Sequence, residues 1–473
     1  RSKKHLAMAV VLPSNMALNV KRLANLTRTN IRLRPQSNDT VQSGQTVVFR
    51  LPTNTMIDLH NLQFVARCKV SNTNDALIGM PSDMHGAIER IDVVANGQTI
   101  NGSNPDYGGY HHLCKQWLTD SNRPKVADWI ESGDNKTNIN GTTDGSAPTF
   151  KDMRTALKDG ADGLTTSTNG SSDTFPNSWP FVMSGFKGFL AGDHVRFIDT
   201  AVLGPVEVRL RLAPNSIMYK GQEGTDSYAR EVTSYGGTLA ADFEFNNMFM
   251  FMDTISFRDD FYRAILARRL IEGGMITIPY TNIFGYNKAL AASSDTITFN
   301  LATQSMDRLW ACMRRIGYSA RNEKKYSNGA KNTNYYKFES ADNTENHFDG
   351  TTTYQFQVEN LHMPAFPASV DEAYVLTRAA LDLPNSKSGY GKVLRFDEYR
   401  RGKFAFVHAF NHQSGGERII SGLDTRGASS NMSFDIFNSD AGGTDEKKYQ
   451  VMLFVETTST LEISAGQNIT TIF

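Results

Sequence analysis

Ser43–Leu59 reads SGQTVVFRLPTNTMIDL, and 250 positions later Ser293–Leu309 reads SSDTITFNLATQSMDRL. In ungapped register Ser43/Ser293, Thr46/Thr296, Phe49/Phe299, Leu51/Leu301, Thr53/Thr303, Met56/Met306 and Leu59/Leu309 are identical, and Val47/Ile297 and Thr55/Ser305 nearly so. Apolar and polar residues alternate in both copies, the pattern of a strand with one buried face. The offset is close to half of the 473 residues, and each copy runs into a second long strand-like segment, Leu59–Val70 and Leu309–Ile316. The chain therefore reads as two β domains in tandem, copies of one plan.

Length supports two cores rather than one. Apolar residues make up 40% of the chain, enough to fill both, while only 21% are charged, so Asn, Ser, Thr and Gly must supply much of the polar surface. Many short strands with Gly- and Asn-rich turns predict an all-β sandwich or barrel. Net charge is zero but unevenly placed. Arg1, Lys3, Lys4, Lys21, Arg22, Arg28, Arg32 and Arg34 precede the first acid, which leaves a net −8 on the remainder. Residues 1–38 thus form a basic arm, either a solvated tail or a segment that meets phosphate of nucleic acid or lipid. Cys68, Cys114 and Cys312 cannot close a disulfide framework, and the first and last fall in strands as small apolar residues, which suits a reducing compartment. No apolar run reaches the roughly 18–20 residues of a membrane span, and no secretion signal is read.

Along the chain, strands are predicted at Asn30–Pro35, Gly44–Leu51, Leu59–Val70 and Ile88–Ile100, the last interrupted by the hairpin pair Asn96–Gly97. Tyr107–Leu118 (YGGYHHLCKQWL) reads as a short helix. Residues 119–180 and 213–241 are loop-like; a loop as long as the first implies an elaborated functional surface. Strands resume at Phe186–Ile198, Val206–Leu212 and Phe243–Phe257, the last closing the first domain, 39–258. Asp259–Ile271 (DDFYRAILARRLI) is a capped amphipathic helix ended by Gly273–Gly274, so 259–274 is the expected junction. In the second domain, 275–473, strands are expected at Met275–Tyr286, Thr296–Leu301, Leu309–Ile316 and Thr353–Leu361, then a helix at Ser369–Leu381 in the place that Tyr107–Leu118 holds before it. Val393–Phe396, Lys403–Asn411, Met432–Phe437, Tyr449–Thr457, Leu461–Ile463 and Asn468–Phe473 complete the strands.

The chain carries no recognisable catalytic constellation. Gly389–Val393 (GYGKV) lacks the upstream Gly and the hydroxyl of a phosphate loop, and Gly317–Arg321 (GYSAR) lacks the second Gly of a nucleophile elbow. His111, His112 and Cys114 lie close together, but adjacent helical residues diverge by about 100°, so they read as a half-buried helix with polar edges. His408 and His412 suit a solvent or interface role. Asp259–Asp260 suits helix capping and Asp397–Glu398 turn surface, and Met248–Met252 reads as core. No catalytic, cofactor-binding or metal-ligating residue is assigned, and no cofactor.

Ile88–Leu113 (IERIDVVANGQTI…YGGYHHL), the junction Phe251–Tyr286 and the C-terminal YQVMLFVETTSTLEISAGQNI (449–469) resemble double jelly-roll major capsid proteins of the polinton-like virus, virophage and nucleocytoplasmic large DNA virus kind. That resemblance implies two eight-stranded jelly rolls and no enzymatic activity. It implies a homotrimer that mimics a hexagon, tiling an icosahedral shell through obligate contacts on the order of 2,000 Å² or more. It implies a place in the virion, with neighbouring capsomers, penton and minor capsid or cement proteins as partners. Loops 119–180 and 213–241 would form the outer tower, and the basic arm would face an inner membrane or the genome. Since the chain starts at Arg1, numbering begins inside the gene product or the N-terminus is processed.

Two alternatives remain in view. A carbohydrate-binding, lectin-like virion protein, spike or penton-associated, would need exposed aromatics in a groove, for which Trp117, Trp129, Trp179 and Trp310 are the candidates, although Trp310 sits in a repeated core strand. A glycan-active enzyme would need two carboxylates about 5–10 Å apart across a cleft.

Overall fold

The computed structural model describes residues 26–36, 39–72, 77–79, 84–118, 179–217, 219–221, 241–257, 274–315, 338–342, 351–359, 361–381, 403–410, 413–414, 417–418, 422–426, 432–442, 448–464 and 468–473, with residues 264, 266, 268, 336, 383, 396, 399 and 400. Residues 1–25, most of both long loops and most of the expected junction helix lie outside that set; Ala264, Leu266 and Arg268 are helical.

The main strands of the first half are β1 Leu26–Leu33, β2 Thr46–Arg50, β3 Met56–Asn72, β4 Ile88–Ala95, β5 Gln98–Thr99, β6 Trp179–Met183, β7 Phe197–Asp199, β8 Val206–Leu212 and β9 Ala241–Phe257. They form two antiparallel sheets. One runs β1-β9-β3-β6, with β7 also on β3; the other runs β2-β8-β4-β5. The second half has β10 Met275–Ala289, β11 Asp295–Phe299, β12 Met306–Arg315, β13 Thr353–Val358, β14 Leu361–Ser369, β15 Phe406–Ala409, β16 Met432–Phe437, β17 Tyr449–Ser464 and β18 Asn468–Ile472. Its sheets run β10-β17-β12-β15, with β18 on β17, and β11-β16-β13-β14. The four-strand paths coincide strand for strand; the additional strands do not, since β7 lies on β3 and β18 on β17. With β6 and β7 counted as one interrupted edge in the first half, and β18 set aside as an extra strand on β17 in the second, each half is an eight-stranded jelly roll.

The repeated stretch falls on equivalent strands. Phe49 of β2 lies opposite Val208 of β8, and Phe299 of β11 lies opposite Met432 of β16. Val47, Phe49 and Leu51 are buried, as are Ile297, Phe299 and Leu301, so alternation points the same positions into each core. In the first core Phe49 packs edge-on to Phe64 at 5.8 Å, and Phe64 meets Phe181 and Phe245. In the second, Phe356 stacks on Phe406 at 5.1 Å and meets Phe434.

A hydroxyl clasp is also duplicated. The Thr200 hydroxyl donates towards the Pro52 carbonyl (2.7 Å) and accepts from the Thr55 N–H (3.0 Å). Thr425 does the same to the Leu301 carbonyl (2.8 Å) and the Thr303 N–H (3.0 Å). Each ties down the turn that follows the repeated strand. Thr425→Val keeps the shape but orphans both backbone groups, so a loss of about 1–3 kcal/mol is expected in urea melts. A variant as stable as the parent would contradict this role.

Several boundaries differ from the sequence expectation. The basic arm, drawn to residue 38, loses Leu26–Leu33 to the first sheet, because its alternating Ile31 and Leu33 pack on the core. Phe186–Ile198 is not a strand. Gly185, Gly188 and Gly192 take positive φ there, and Phe186, Phe189 and Leu190 anchor a loop with one 3-10 turn, Gly188–Ala191, before β7. Thr353–Leu361 is instead the first strand of a hairpin that turns at Glu359, with φ 57°, into β14. Tyr449–Thr457 and Leu461–Ile463 fuse into the single strand β17. Of Val393–Phe396, only Phe396 is described, and it is helical.

The joint between the two halves

Helix α1, Tyr107–Leu118, follows β5 as expected. Its start is set by Asp106, whose carboxylate accepts from the Gly109 N–H at 3.1 Å. The sequence suggested a half-buried helix with polar edges. Instead, every residue from Tyr107 to Cys114 is buried, and so is Trp117. The helix is a wedge with two partners. One side stays with its own half: His111 stacks on His85 at 3.6 Å, and Tyr107 accepts from the Lys187 N–H. The other side enters the second half. Tyr110 meets Trp310 edge-on and Phe454 at 5.4 Å; His112 faces Tyr336 and Phe338; Trp117 meets Tyr399 edge-on at 5.6 Å.

Some of the polar groups inside the joint are paired across it, while the Trp117 indole N–H and the Asn104 amide N–H are buried without a hydrogen bond. Glu456 on β17 accepts from the Tyr110 hydroxyl (2.7 Å) and the Trp310 indole N–H (2.6 Å), with Arg308 at 3.4 Å. Asp106 and Arg314 form a buried ion pair at 3.3 Å. Burial pushes the Tyr110 phenol well up, reinforced by Cys114 and Glu456, so it stays a neutral donor. Just before α1 the chain lies against β10. Gly102 N–H donates to the Asn282 side chain, Gly285 N–H to the Ser103 carbonyl at 2.9 Å, and Tyr280 to the Ile100 carbonyl. A Cβ on Gly102 would come within 2.8 Å of the Phe284 ring, and one on Gly285 within 2.7 Å of Asn104. These two glycines are what lets the halves approach. Two crevices beside this contact hold about 10 and 20 Å³, room for a water and not for a substrate.

The residues singled out by sequence scatter. His111 stacks on His85, His112 packs on Tyr336 and Phe338, and Cys114 is buried beside them. Cys68 and Cys312 are buried in strands, as read. Burial pushes the Cys114 thiol up to about 11 and the other two higher. At pH 8, Ellman's reagent is therefore expected to find no reactive thiol in the folded chain and three in guanidinium; fast labelling of folded protein would contradict the burial. His408 is half-buried against Phe410, and burial lowers its pKa. Met248, Met250 and Met252 are core. Trp117 and Trp310 are buried in the joint rather than lining a groove. His412, Trp129, Asp259, Asp260, Asp397, Glu398 and residues 317–321 and 389–393 fall outside the described residues, and so does the Trp179 side chain. Among the described residues no cluster of three or more His, Cys, Asp or Glu is placed to hold a metal, and no helix is long and apolar enough to cross a membrane. Sequence reasoning missed Glu456, Arg314, Asp106, Tyr336 and Phe338. Their partners lie far away in sequence, and no local pattern marks them.

Two jelly rolls in one chain, joined through a shared helix, make this a double jelly-roll protein. Solved structures agree. The chain is similar to PBCV-1 VP54, as fitted into a reconstruction of the virophage Sputnik, with TM-score 0.55 and 12% identity over 95% of this chain and 97% of that one. It is similar to the PBCV-1 virus capsid at TM-score 0.54 and 10% identity, covering 95% and 97%. It is similar to the Faustovirus major capsid protein at 0.53 and 9%, covering 93% and 91%. No family model matches the sequence, and no curated protein does.

Proposed function

We propose that the chain is the major capsid protein of a DNA virus, a structural rather than catalytic protein whose work is self-assembly into an icosahedral shell. The observation that carries the reading is the duplicated jelly roll, whose halves close on each other and leave crevices of only about 10 and 20 Å³ between them. Likeness over nearly the full length to the capsid structures above supports it. In this reading three chains form a capsomer. Each supplies two similar sides, so a threefold object fills sixfold positions. The loops 119–180 and 213–241 crown the outer end. The basic segment up to residue 25 lies inside and meets phosphate, and penton and minor capsid or cement proteins complete the shell. Light scattering at micromolar concentration should give three times the 52.5 kDa chain mass, with pseudo-hexagonal particles in negative stain. A monomer under these conditions would overturn the reading.

A further inference from the structure

We propose that the larger of the two crevices at the joint is a binding site for a single structural water, which accepts hydrogen bonds from the side-chain amides of Asn104 in the first half and Asn282 in the second, and so bridges the two. Such a water lies inside one chain, so its presence does not depend on what the chain assembles into.

The crevice holds about 20 Å³ and takes its walls from both halves: Asn101, Gly102, Asn104 and Lys187 from the first, Asn282 and Ile283 from the second. That exceeds the ~10–15 Å³ that one water needs and leaves no room for a second.

Three asparagines line this space, and their hydrogen bonds differ. Asn101 accepts from the Val93 N–H at 2.7 Å and donates to the Ile91 carbonyl at 2.5 Å. Asn282 accepts from the Gly102 and Ile283 N–H groups at 2.5 and 2.9 Å. Its amide nitrogen reaches Ser459 at a long 3.4 Å, which uses one of its two N–H donors. Asn104 is 7% exposed; it accepts from the Asp106 N–H at 3.2 Å, and its Nδ2 meets no acceptor of the protein. Turning the Asn104 amide over does not help. The NH2 group would then face the Asp106 N–H, donor against donor.

A buried amide donor needs an acceptor, and a water oxygen offers two lone pairs, one for each half of the chain. The water must also place its own protons. The Gly102 carbonyl takes the Asn101 amide at 3.3 Å and has a second lone pair for one of them. Bound in this way, the water ties the segment just before the Asp106 cap of α1 to β10, beside the direct bond from the Gly285 N–H to the Ser103 carbonyl. The smaller crevice is the contrast. It holds about 10 Å³, at the lower limit for a water, and no residue lining it has a buried side-chain nitrogen or oxygen without a partner. It should be dry.

The test is a crystal structure or cryo-electron microscopy map of the full chain, at a resolution that shows ordered water, for the parent and for Asn104→Leu. The parent is expected to show one peak in the larger crevice, within hydrogen-bond distance of the Nδ2 atoms of Asn104 and Asn282, and none in the smaller. Asn104→Leu is expected to lose that peak. A parent whose larger crevice shows no peak, or shows one out of reach of Asn104, overturns the site, and so does a peak that Asn104→Leu retains. If the leucine variant does not fold, the parent map decides alone.

Discussion

Replacing Glu456 by alanine is expected to cost about 3–5 kcal/mol, the range for breaking a buried charged pair by removing one partner. The carboxylate holds the Tyr110 hydroxyl and the Trp310 indole at once and sits 3.4 Å from Arg308. Alanine would strand two buried donors and leave the part-buried Arg308 guanidinium without its carboxylate. In a chain with two halves of this size the melting temperature should fall by about 10 °C. Glu456→Gln keeps an acceptor and should lose less. A double-mutant cycle with Tyr110→Phe isolates the contact across the joint, because Tyr110 belongs to the first half and Glu456 to the second. Additive losses in that cycle would mean that the two groups do not cooperate.

The second large effect is expected at Gly108. A Cβ there would lie 2.7 Å from the Tyr336 hydroxyl, 3.0 Å from the Gly86 Cα and 3.0 Å from the Ile88 carbonyl oxygen. Two of those three atoms are backbone and cannot swing aside. Gly108→Val should therefore cost ~3 kcal/mol or more through overpacking, despite the better helix propensity of valine over glycine. Gly97 offers the control. Its φ is +84°, but nothing lies within 4 Å of its missing Cβ, so Gly97→Ala carries only turn strain and should cost less. Equal losses at the two positions in chemical denaturation would remove the steric argument.

How much of this was readable in the sequence depends on range. The repeat was legible because alternation is local and copying preserves it, and Phe49 and Phe299 do occupy equivalent strands. The turn at Asn96–Gly97 was legible because two successive positive φ angles, 46° and 84°, leave few other residue choices. Helix α1 was placed at its full length. Its surroundings were misjudged: His111, His112 and Gln116 look like a wet edge until a second domain is laid against them. Phe186–Ile198 misled because apolar spacing can anchor a loop as well as a strand, and the glycines between were the stronger signal. Strand β14 was hidden by Pro364 and Pro367, which argue against a strand except at an edge, and β14 is the edge of its sheet. The joint itself depends on pairs such as Tyr110 and Glu456, 346 positions apart, which no window along the chain can see.

The wedged helix has a mechanical consequence. With α1 gripped on both sides, the angle between the two jelly rolls is not a free hinge, and each chain behaves as one stiff plank. If such chains build a closed shell, as proposed above, its curvature falls along the seams where whole blocks meet. In such a shell, differences in tilt between flat facets and sharp corners would register at block edges, while the geometry inside each chain stays constant.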